Sequence, residues 1–303
     1  MLQPTPREPL STFLERLPKK VLISFAKKYG VGLKGDLSDQ EELRSQILEK
    51  VPKSVILQQL YAPYGWAGNV TIYLYLFKDI KAELEEVSLR KRLESALDNI
   101  NSKQKLTTKP KPVEVILPDK ENNEIRVRHE FLGEPIIYQD PQTYELKTVN
   151  PLMTIFSVVH LPNGFTEIRA REKKNANEAI EQLKEYFHFQ GKFEPLSFAR
   201  EHLMQWIDWA TTLRNARFKP EGPISTLYMG AKSWLDLRDV KLFKEWWEKG
   251  EPLEGIYIKF EIKPEEEVGF GINATMGKIM FRTFATEEEI NFVIKEARLI
   301  LGL

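Results

Sequence analysis

The stretch VTIYLYLF, residues 70–77, decides where the N-terminal helical part of this sequence ends. Its apolar residues fit a buried helix or a buried strand equally well, so both interpretations stay open. The boundary between the first two domains depends on the choice. The run is far too short to cross a bilayer, and the N-terminus, MLQPTPREPL, lacks the apolar core of a signal peptide.

Residues 11 to about 66 have the pattern of consecutive helices. Two capping boxes begin helices in this part: Thr12 with Glu15, and Ser38 with Glu41. Between them, KKVLISFAKKYG places apolar side chains at helical spacing, and Gly30 is a natural left-handed end for that helix. Further along, we expect a long charged helix at 78–100 and a lysine-rich linker at 101–112.

After the linker, alternation with a period of two predicts strands, including a hairpin that turns at residues 162–164. Helices are expected at 176–189 and at 195–218. Thr286 and Glu289 have the spacing of a capping box before a C-terminal helix.

We therefore expect an α+β fold, in which an N-terminal all-α helical bundle is followed by a mixed α/β region with antiparallel sheets. The first expected domain is a small helical one at 1–66, and a long helix with a basic linker follows at 67–112. Residues 113–190 should form an α+β domain with a β-hairpin. Residues 191–303 should form a second α+β domain, which ends in an antiparallel sheet and a C-terminal helix.

The charges of the chain balance. Its 303 residues include 44 Lys and Arg and 44 Asp and Glu, so the formal net charge is zero and any nucleic-acid surface must be local. Cysteine is absent, which excludes disulfides, thiol catalysis and cysteine metal sites. A chain without disulfides fits a cytoplasmic, reducing environment, and abundant Lys and Glu without Cys suit a thermophile.

No motif in the sequence predicts catalysis. The glycine-rich stretch GFGINATMGK, residues 269–278, resembles a phosphate loop, but Lys278 is followed by Ile rather than Ser or Thr. We interpret it as a β-hairpin or bulge. The four histidines have no metal-binding or catalytic spacing. We expect no catalytic residue, no metal and no cofactor, while a site assembled from distant residues stays open.

Basic residues gather at three places along the chain. The positions that we expect to contact phosphate are Lys19, Lys20, Lys27, Lys28 and Lys34 in the helical segment, Lys103, Lys105, Lys109 and Lys111 in the linker, and Arg169, Arg171, Lys173 and Lys174 after the hairpin. Phosphate binding needs a local patch rather than a net charge. The paired tryptophans Trp206 and Trp209, and Trp246 and Trp247, fit helix packing better than base stacking.

The stretch LPKKVLISFAKKYGVGLKGDLSDQEELRSQIL, residues 17–48, resembles the helix–extended–helix of SAP-type and Rho-N-type nucleic-acid-binding modules. The resemblance lies in an apolar helix that ends in Lys28, Tyr29 and Gly30, and in a second, Leu-Ile helix. It implies nucleic-acid binding, with DNA favoured over RNA. One departure is the acidic start of the second helix at Glu41 and Glu42, where these families usually carry a Lys or Arg that meets phosphate.

The order of elements is similar to that of the centromere protein N family of kinetochore subunits, which joins a pyrin-type helical bundle to a mixed α/β region. In this sequence, NPLMTIFSVVH at 150–160 precedes the basic IRAREKK at 168–174. This resemblance implies a non-catalytic protein that contacts DNA or chromatin. The expected partner is therefore nucleic acid rather than a membrane. The alternative is a protein–protein adaptor that uses the helical bundle and the Trp-bearing helices, and an enzyme is the least supported class.

Overall fold

The structure is a computed structural model. The residues that it describes are 10–31, 40–65, 71–78, 106–118, 123–139, 144–221, 223–263, 266–282 and 285–303. The chain divides into two compact units, one formed by Met1–Val70 with Phe281–Ala297 and the other by Thr71–Met280 with Arg298–Leu303. This division differs from the four consecutive domains that the sequence predicts, because the first unit takes in a segment from near the C-terminus.

Short helices occupy the described N-terminal part of the first unit. They are α1 (Leu10–Arg16), α2 (Lys19–Lys28), α3 (Gln40–Lys50), α4 (Lys53–Ile56), a π-helical turn (Leu57–Tyr61) and α5 (Ala62–Tyr64). Pro18 and Pro52 immediately precede α2 and α4. Gly30 follows α2 with a φ of 62°, which confirms the expected left-handed end.

The expected fold class is wrong at the N-terminus, because an N-terminal all-α bundle is not seen there. The helices before residue 66 are short, between 3 and 11 residues, and helices of this length depend on tertiary packing. The unit that contains them also includes Phe281–Ala297, so the N-terminal segment is not a self-contained bundle. An antiparallel sheet of 11 strands dominates the described chain instead.

This sheet is organised around β1 (Thr71–Phe77), so TIYLYLF, residues 71–77, forms a strand. The other strands are β2 (Lys111–Ile116), β3 (Glu124–Leu132), β4 (Ile136–Gln139), β5 (Leu146–Val149), β6 (Leu152–His160), β7 (Phe165–Arg169), β8 (Phe193–Pro195), β9 (Thr212–Phe218), β10 (Leu227–Gly230), β11 (Leu253–Lys263), β12 (Glu266–Asn273) and β13 (Lys278–Phe281). Their order is β10-β9-β11-β12-β13-β1-β7-β6-β3-β2, with β8 also paired to β1, while β4 and β5 form a separate two-stranded sheet.

One half of the sheet packs against the helix α6 (Lys173–Phe187). Their shared core includes Tyr73, Tyr75, Val127, Ile168, Leu183 and Phe187. The hairpin of β6 and β7 turns through Gly164 at a φ of 72°, which confirms the expected turn. The expected linker is wrong at its end, because Lys111 already belongs to β2. The long helix expected at 78–100 lies almost entirely outside the described residues.

The other half of the sheet carries α7 (Arg200–Trp209) and α8 (Lys241–Glu248). The helix expected at 195–218 is wrong at both ends. Pro195 belongs to β8 and the helix begins only at Arg200, while Ala210 turns into an extended conformation and β9 follows. The register between β9 and β11 shifts at Arg214, where Tyr257 pairs with Asn215 but Ile258 pairs with Leu213. Because the bulge interrupts the alternation of the strand, the buried residues Leu213 and Ala216 are three positions apart. In the sequence this spacing is the one expected of a helix.

The chain ends with a hairpin and a helix, both as expected. The glycine-rich residues 269–278 form the end of β12, a turn and the start of β13, which confirms the hairpin interpretation. The last helix, α9 (Glu287–Leu301), begins with a capping box. The Glu289 amide donates to Thr286 Oγ1 at 3.2 Å, and the Thr286 amide donates to Glu289 Oε2 at 2.5 Å. The capping box expected at Thr12 is wrong, because α1 already begins at Leu10. The box expected at Ser38 lies outside the described residues.

The burial of Trp206 predicts a large cost of removing it. Its ring is fully buried and meets Phe260 and Phe270 edge-on, with centroids 5.6 and 5.4 Å away. We expect Trp206→Ala to lower the free energy of unfolding by about 3–5 kcal/mol. Trp234→Ala is the control, because Trp234 is 74% exposed, and it should change this value by less than about 0.5 kcal/mol. Urea unfolding followed by far-UV circular dichroism measures both, and equal effects would contradict the packing.

Candidate nucleic-acid interface

The solvent face of α2 is positively charged. This ten-residue helix, KKVLISFAKK, contains four lysines and no acidic residue. Its buried residues are Leu22, Phe25 and Ala26. Since these anchor one side of the helix in the apolar cluster of the first unit, Lys20 and Lys27, two turns apart, lie on the opposite, exposed side. Lys28 is exposed as well, and Lys19 is half-buried. The packing of α2 therefore presents a strip of cations to solvent.

The C-terminal end of α2 concentrates this charge. Lys27 and Lys28 lie in its last turn, where the helix dipole favours cations. The Nζ of Lys28 donates to Gln59 Oε1 at 2.6 Å and lies 5.7 Å from the centroid of the Tyr29 ring. Lys20 and Lys27 have no ion-pair partner in the described part of the chain. Their ammonium groups are thus available to an anionic ligand.

The next helix has the opposite charge at its start. Glu41 and Glu42 lie in the first turn of α3 and are exposed. Arg44 is engaged within the same unit, because its guanidinium donates to Gln40 Oε1 at 3.0 Å and to the carbonyl of Glu15 at 3.3 Å. The expected contact Lys34 lies outside the described residues. Apart from Arg44, the cations without an ion-pair partner among the described residues of the stretch 17–48 are therefore the lysines of α2, Lys20 and Lys27 among them.

Arg169 does not belong to a surface cluster. Its side chain is buried in β7, with 1% of its surface exposed, and its Nε donates to Glu167 Oε2 at 3.0 Å. The guanidinium thus balances a buried carboxylate and is shielded from solvent. We therefore correct the expectation for this residue and leave it out of the proposed phosphate contacts.

Lys173 has a structural position at the start of α6. Its Nζ lies 4.4 Å from the ring centroid of Tyr75 and 5.0 Å from that of Tyr73. The Tyr75 hydroxyl donates to Asn177 Oδ1 at 2.8 Å, one turn further along α6. Burial lowers the pKa of Lys173 and raises the pKa of Tyr75. These contacts fasten the first turn of α6 to β1, so Lys173 is a weaker candidate for phosphate than the lysines of α2.

Arg171 and Lys174 line a cleft of about 480 Å³ beside the start of α6. The acidic residues of the same lining are Glu134, Glu172 and Glu178. Because three carboxylates face two cations, the cleft has no excess of positive charge. Arg171 and Lys174 are both exposed, but their surroundings favour phosphate less than the acid-free α2 does.

The linker lysines are divided between several environments. Lys109 is exposed just before β2, and Lys111 is half-buried as the first residue of that strand. Lys103 and Lys105 lie outside the described residues. Lys109 and Lys111 belong to the same compact unit as Arg171 and Lys174, whereas α2 belongs to the other unit.

The structure contains a buried charged cluster that the sequence analysis missed. His160 Nδ1 lies 3.0 Å from Glu124 Oε1, and His160 Nε2 lies 3.3 Å from Glu167 Oε1. Burial works against ionisation of Glu167, but Arg169 and His160 together lower its pKa to about 2. Burial likewise lowers the pKa of His160, but Glu124 and Glu167 outweigh it and raise that pKa. The signal was available in NEIRVRHEF, where charged and apolar residues alternate along β3.

A second buried histidine is paired with a serine. His129 Nε2 lies 2.9 Å from Ser157 Oγ. Both side chains are fully buried, and burial lowers the pKa of His129 to about 3. The pair is closed to substrates, so it provides no basis for nucleophilic catalysis. In the described part of the chain, acidic residues and histidines form no group of three that could hold a metal ion.

The tryptophans that suggested a docking surface mostly face inward. Trp206 is fully buried, and Trp246 and Trp247 are half-buried beside Phe218 and Phe243. Trp209 is 49% exposed. The positions of Trp206, Trp246 and Trp247 fit helix packing, whereas Trp209 stays partly exposed.

No protein-family model and no curated protein sequence matches the chain. Within the described residues, the helices all lack the combination of length and apolarity that a bilayer span requires.

The His160 cluster predicts a pH-dependent stability. Because the folded state raises the pKa of His160 above its usual 6.5, the stabilisation from its charge is complete below that pH and is lost as the pH rises through the folded pKa. His160→Gln should therefore destabilise the fold most under mildly acidic conditions, with a difference from wild type that shrinks as the pH rises through the folded pKa of His160. Thermal unfolding across this range measures it.

His188→Asn is the matched control for that measurement. His188 is exposed at the end of α6 in a left-handed conformation, with a φ of 52°, which Asn tolerates. The substitution removes one histidine and leaves the His160 cluster intact, and because the His188 side chain is exposed it should change the unfolding temperature little. A His160→Gln difference that is constant across the range would show that the cluster does not depend on the imidazolium charge.

Proposed function

We propose that this chain is a non-catalytic nucleic-acid-binding protein that holds the phosphate backbone through local basic clusters, and that α2 is the principal one. The observation that carries the proposal is the exposed face of α2, which presents Lys20, Lys27 and Lys28 without an acidic neighbour in the helix. The resemblance of residues 17–48 to SAP-type modules favours DNA over RNA. A cytoplasmic location belongs to the same proposal, since a chain without cysteine suits a reducing compartment.

The spacing of the cations suits a phosphate backbone. Lys20 and Lys27 are seven residues apart, which corresponds to about 10 Å along a helix. This separation is comparable to the width of the DNA major groove, about 12 Å, so the two ammonium groups can meet phosphates on either side of a groove or along one strand. Lysine contacts phosphate as a flexible point charge, and contacts to phosphate carry no direct sequence information. The proposed binding is therefore independent of sequence.

The acidic start of α3 gives the proposed interface a direction. Glu41 and Glu42 would repel a phosphate backbone, so the nucleic acid would approach α2 from the side away from them. Arg171, Lys174 and Lys109 of the second unit are exposed, and in this proposal they are separate and weaker candidates for phosphate contact. Arg169 is excluded by its burial.

The proposal predicts measurable binding to random-sequence duplex DNA at low salt. We expect an electrophoretic mobility shift with a Kd below about 100 μM, which is the weak limit of typical non-specific binding. Lys20→Glu combined with Lys27→Glu should weaken it at least about tenfold, because each substitution replaces a phosphate contact by a repulsion.

A matched double variant separates the site from the overall charge. Lys241→Glu with Lys244→Glu makes the same change in net charge on α8, where both lysines are exposed, and it should leave the shift nearly unchanged. Equal weakening by both pairs would remove α2 from the interface. No shift for the wild-type chain at about 100 μM would overturn nucleic-acid binding altogether.

A further inference from the structure

A side-chain hydrogen bond joins the C-terminal end of α2 to the π-helical turn Leu57–Tyr61. The Nζ of Lys28 donates to Gln59 Oε1 at 2.6 Å, and both side chains are exposed. The two elements are anchored in the same apolar cluster, through Leu22, Phe25 and Ala26 of α2 and through Leu57, Leu60 and Tyr61 of the turn. The contact between Lys28 and Gln59 therefore lies on the solvent side of two elements that share a core.

The chemistry of this contact fixes the orientation of the Gln59 amide. A lysine ammonium has three N–H donors and no acceptor, so the oxygen of the amide faces Lys28. The NH2 group of Gln59 then points away from Lys28, and it has no hydrogen-bond partner within the described residues. Lys28 likewise keeps N–H donors beyond the one that it gives to Gln59. The pair thus places several donors and one positive charge together on the surface.

The two segments that meet here carry no negative charge. Asp and Glu make up 44 of the 303 residues, yet the stretches 17–31 and 51–65 contain neither. The second stretch adds Lys53, which is exposed. Side chains of Lys and Gln both contact phosphate in protein–DNA complexes, and hydrogen bonds from a cation to phosphate are stronger than neutral ones. The chemistry of the Lys28–Gln59 pair therefore matches a phosphate oxygen.

We propose that Gln59 is a phosphate-binding residue of the α2 interface. Its amide oxygen positions the Lys28 ammonium, and its NH2 group donates to the phosphate that Lys28 contacts. This inference rests on the proposed function, because it adds a residue from a second element to that interface. The Tyr29 ring, with its centroid 5.7 Å from the same Nζ, restricts Lys28 further. A cation that is held in place before its ligand arrives loses less conformational entropy on binding.

Two substitutions at Gln59 separate its direct role from its effect on Lys28, in titrations of random-sequence duplex DNA at several salt concentrations. Gln59→Ala removes the amide and keeps the charge of Lys28. Affinity should fall about fivefold, while the slope of log K against log salt stays that of the wild type. Gln59→Glu places a carboxylate against the Lys28 ammonium and neutralises it. The slope should then become shallower by about 0.9, which corresponds to one phosphate contact.

Gln58→Glu is the matched control. Gln58 is exposed in the same turn and forms no hydrogen bond with Lys28, so this variant has the same change in net charge and should keep a slope near that of the wild type. Lys28→Gln should lower the slope by about 0.9, and adding Gln59→Glu to it should lower the slope no further. Circular dichroism verifies that each variant is folded.

The outcomes distinguish this inference from the proposed function. Equal slopes for Gln59→Glu and Gln58→Glu, or wild-type affinity for Gln59→Ala, would overturn the role of Gln59 and leave the α2 interface standing. A wild-type chain that does not bind the duplex would overturn both.

Discussion

The strand β1 is the constraint on which the sheet depends. It pairs with β7 along one edge and with β13 and β8 along the other. Among the described strands it alone joins the half of the sheet that packs on α6 to the half that carries α7 and α8. Its side chains are buried on both faces, including Ile72, Tyr73, Leu74 and Tyr75. A strand buried on both faces carries few polar side chains, which is why TIYLYLF is mostly apolar.

Local signals in the sequence predicted local structure well. Gly30, Gly164 and the Thr286 capping box end or begin elements where expected, because turn and cap chemistry is decided within a few residues. The failures arose where neighbours distant in sequence decide the conformation. β1 had no periodicity to identify it, and the bulge at Arg214 gave β9 the spacing of a helix. The strand order and the closure of the first unit by a C-terminal segment depend on contacts that no short window contains.

In the candidate interface, too, the sequence predicted the local features and missed those that depend on distant neighbours. The sequence located the lysines of α2 and their grouping, because helical periodicity separates them from the buried residues of the same helix. The sequence did not distinguish the buried Arg169, which is paired with Glu167, from the exposed Arg171 two residues further along. Ion pairing and burial depend on the strand opposite, so a count of basic residues overestimates the surface that can meet phosphate. Once such buried, paired residues are set aside, the exposed lysines of α2 remain as candidates.

The central claim, that the lysines of α2 hold a phosphate backbone, is tested most directly by the salt dependence of binding. Each phosphate contact releases counterions and steepens the slope of log K against log salt by about 0.9 on duplex DNA. Lys20→Gln with Lys27→Gln should make the slope shallower by about 1.8, which corresponds to the loss of two phosphate contacts. Lys241→Gln with Lys244→Gln should leave the slope unchanged. A slope that is the same for the wild type and the α2 variant would contradict the claim.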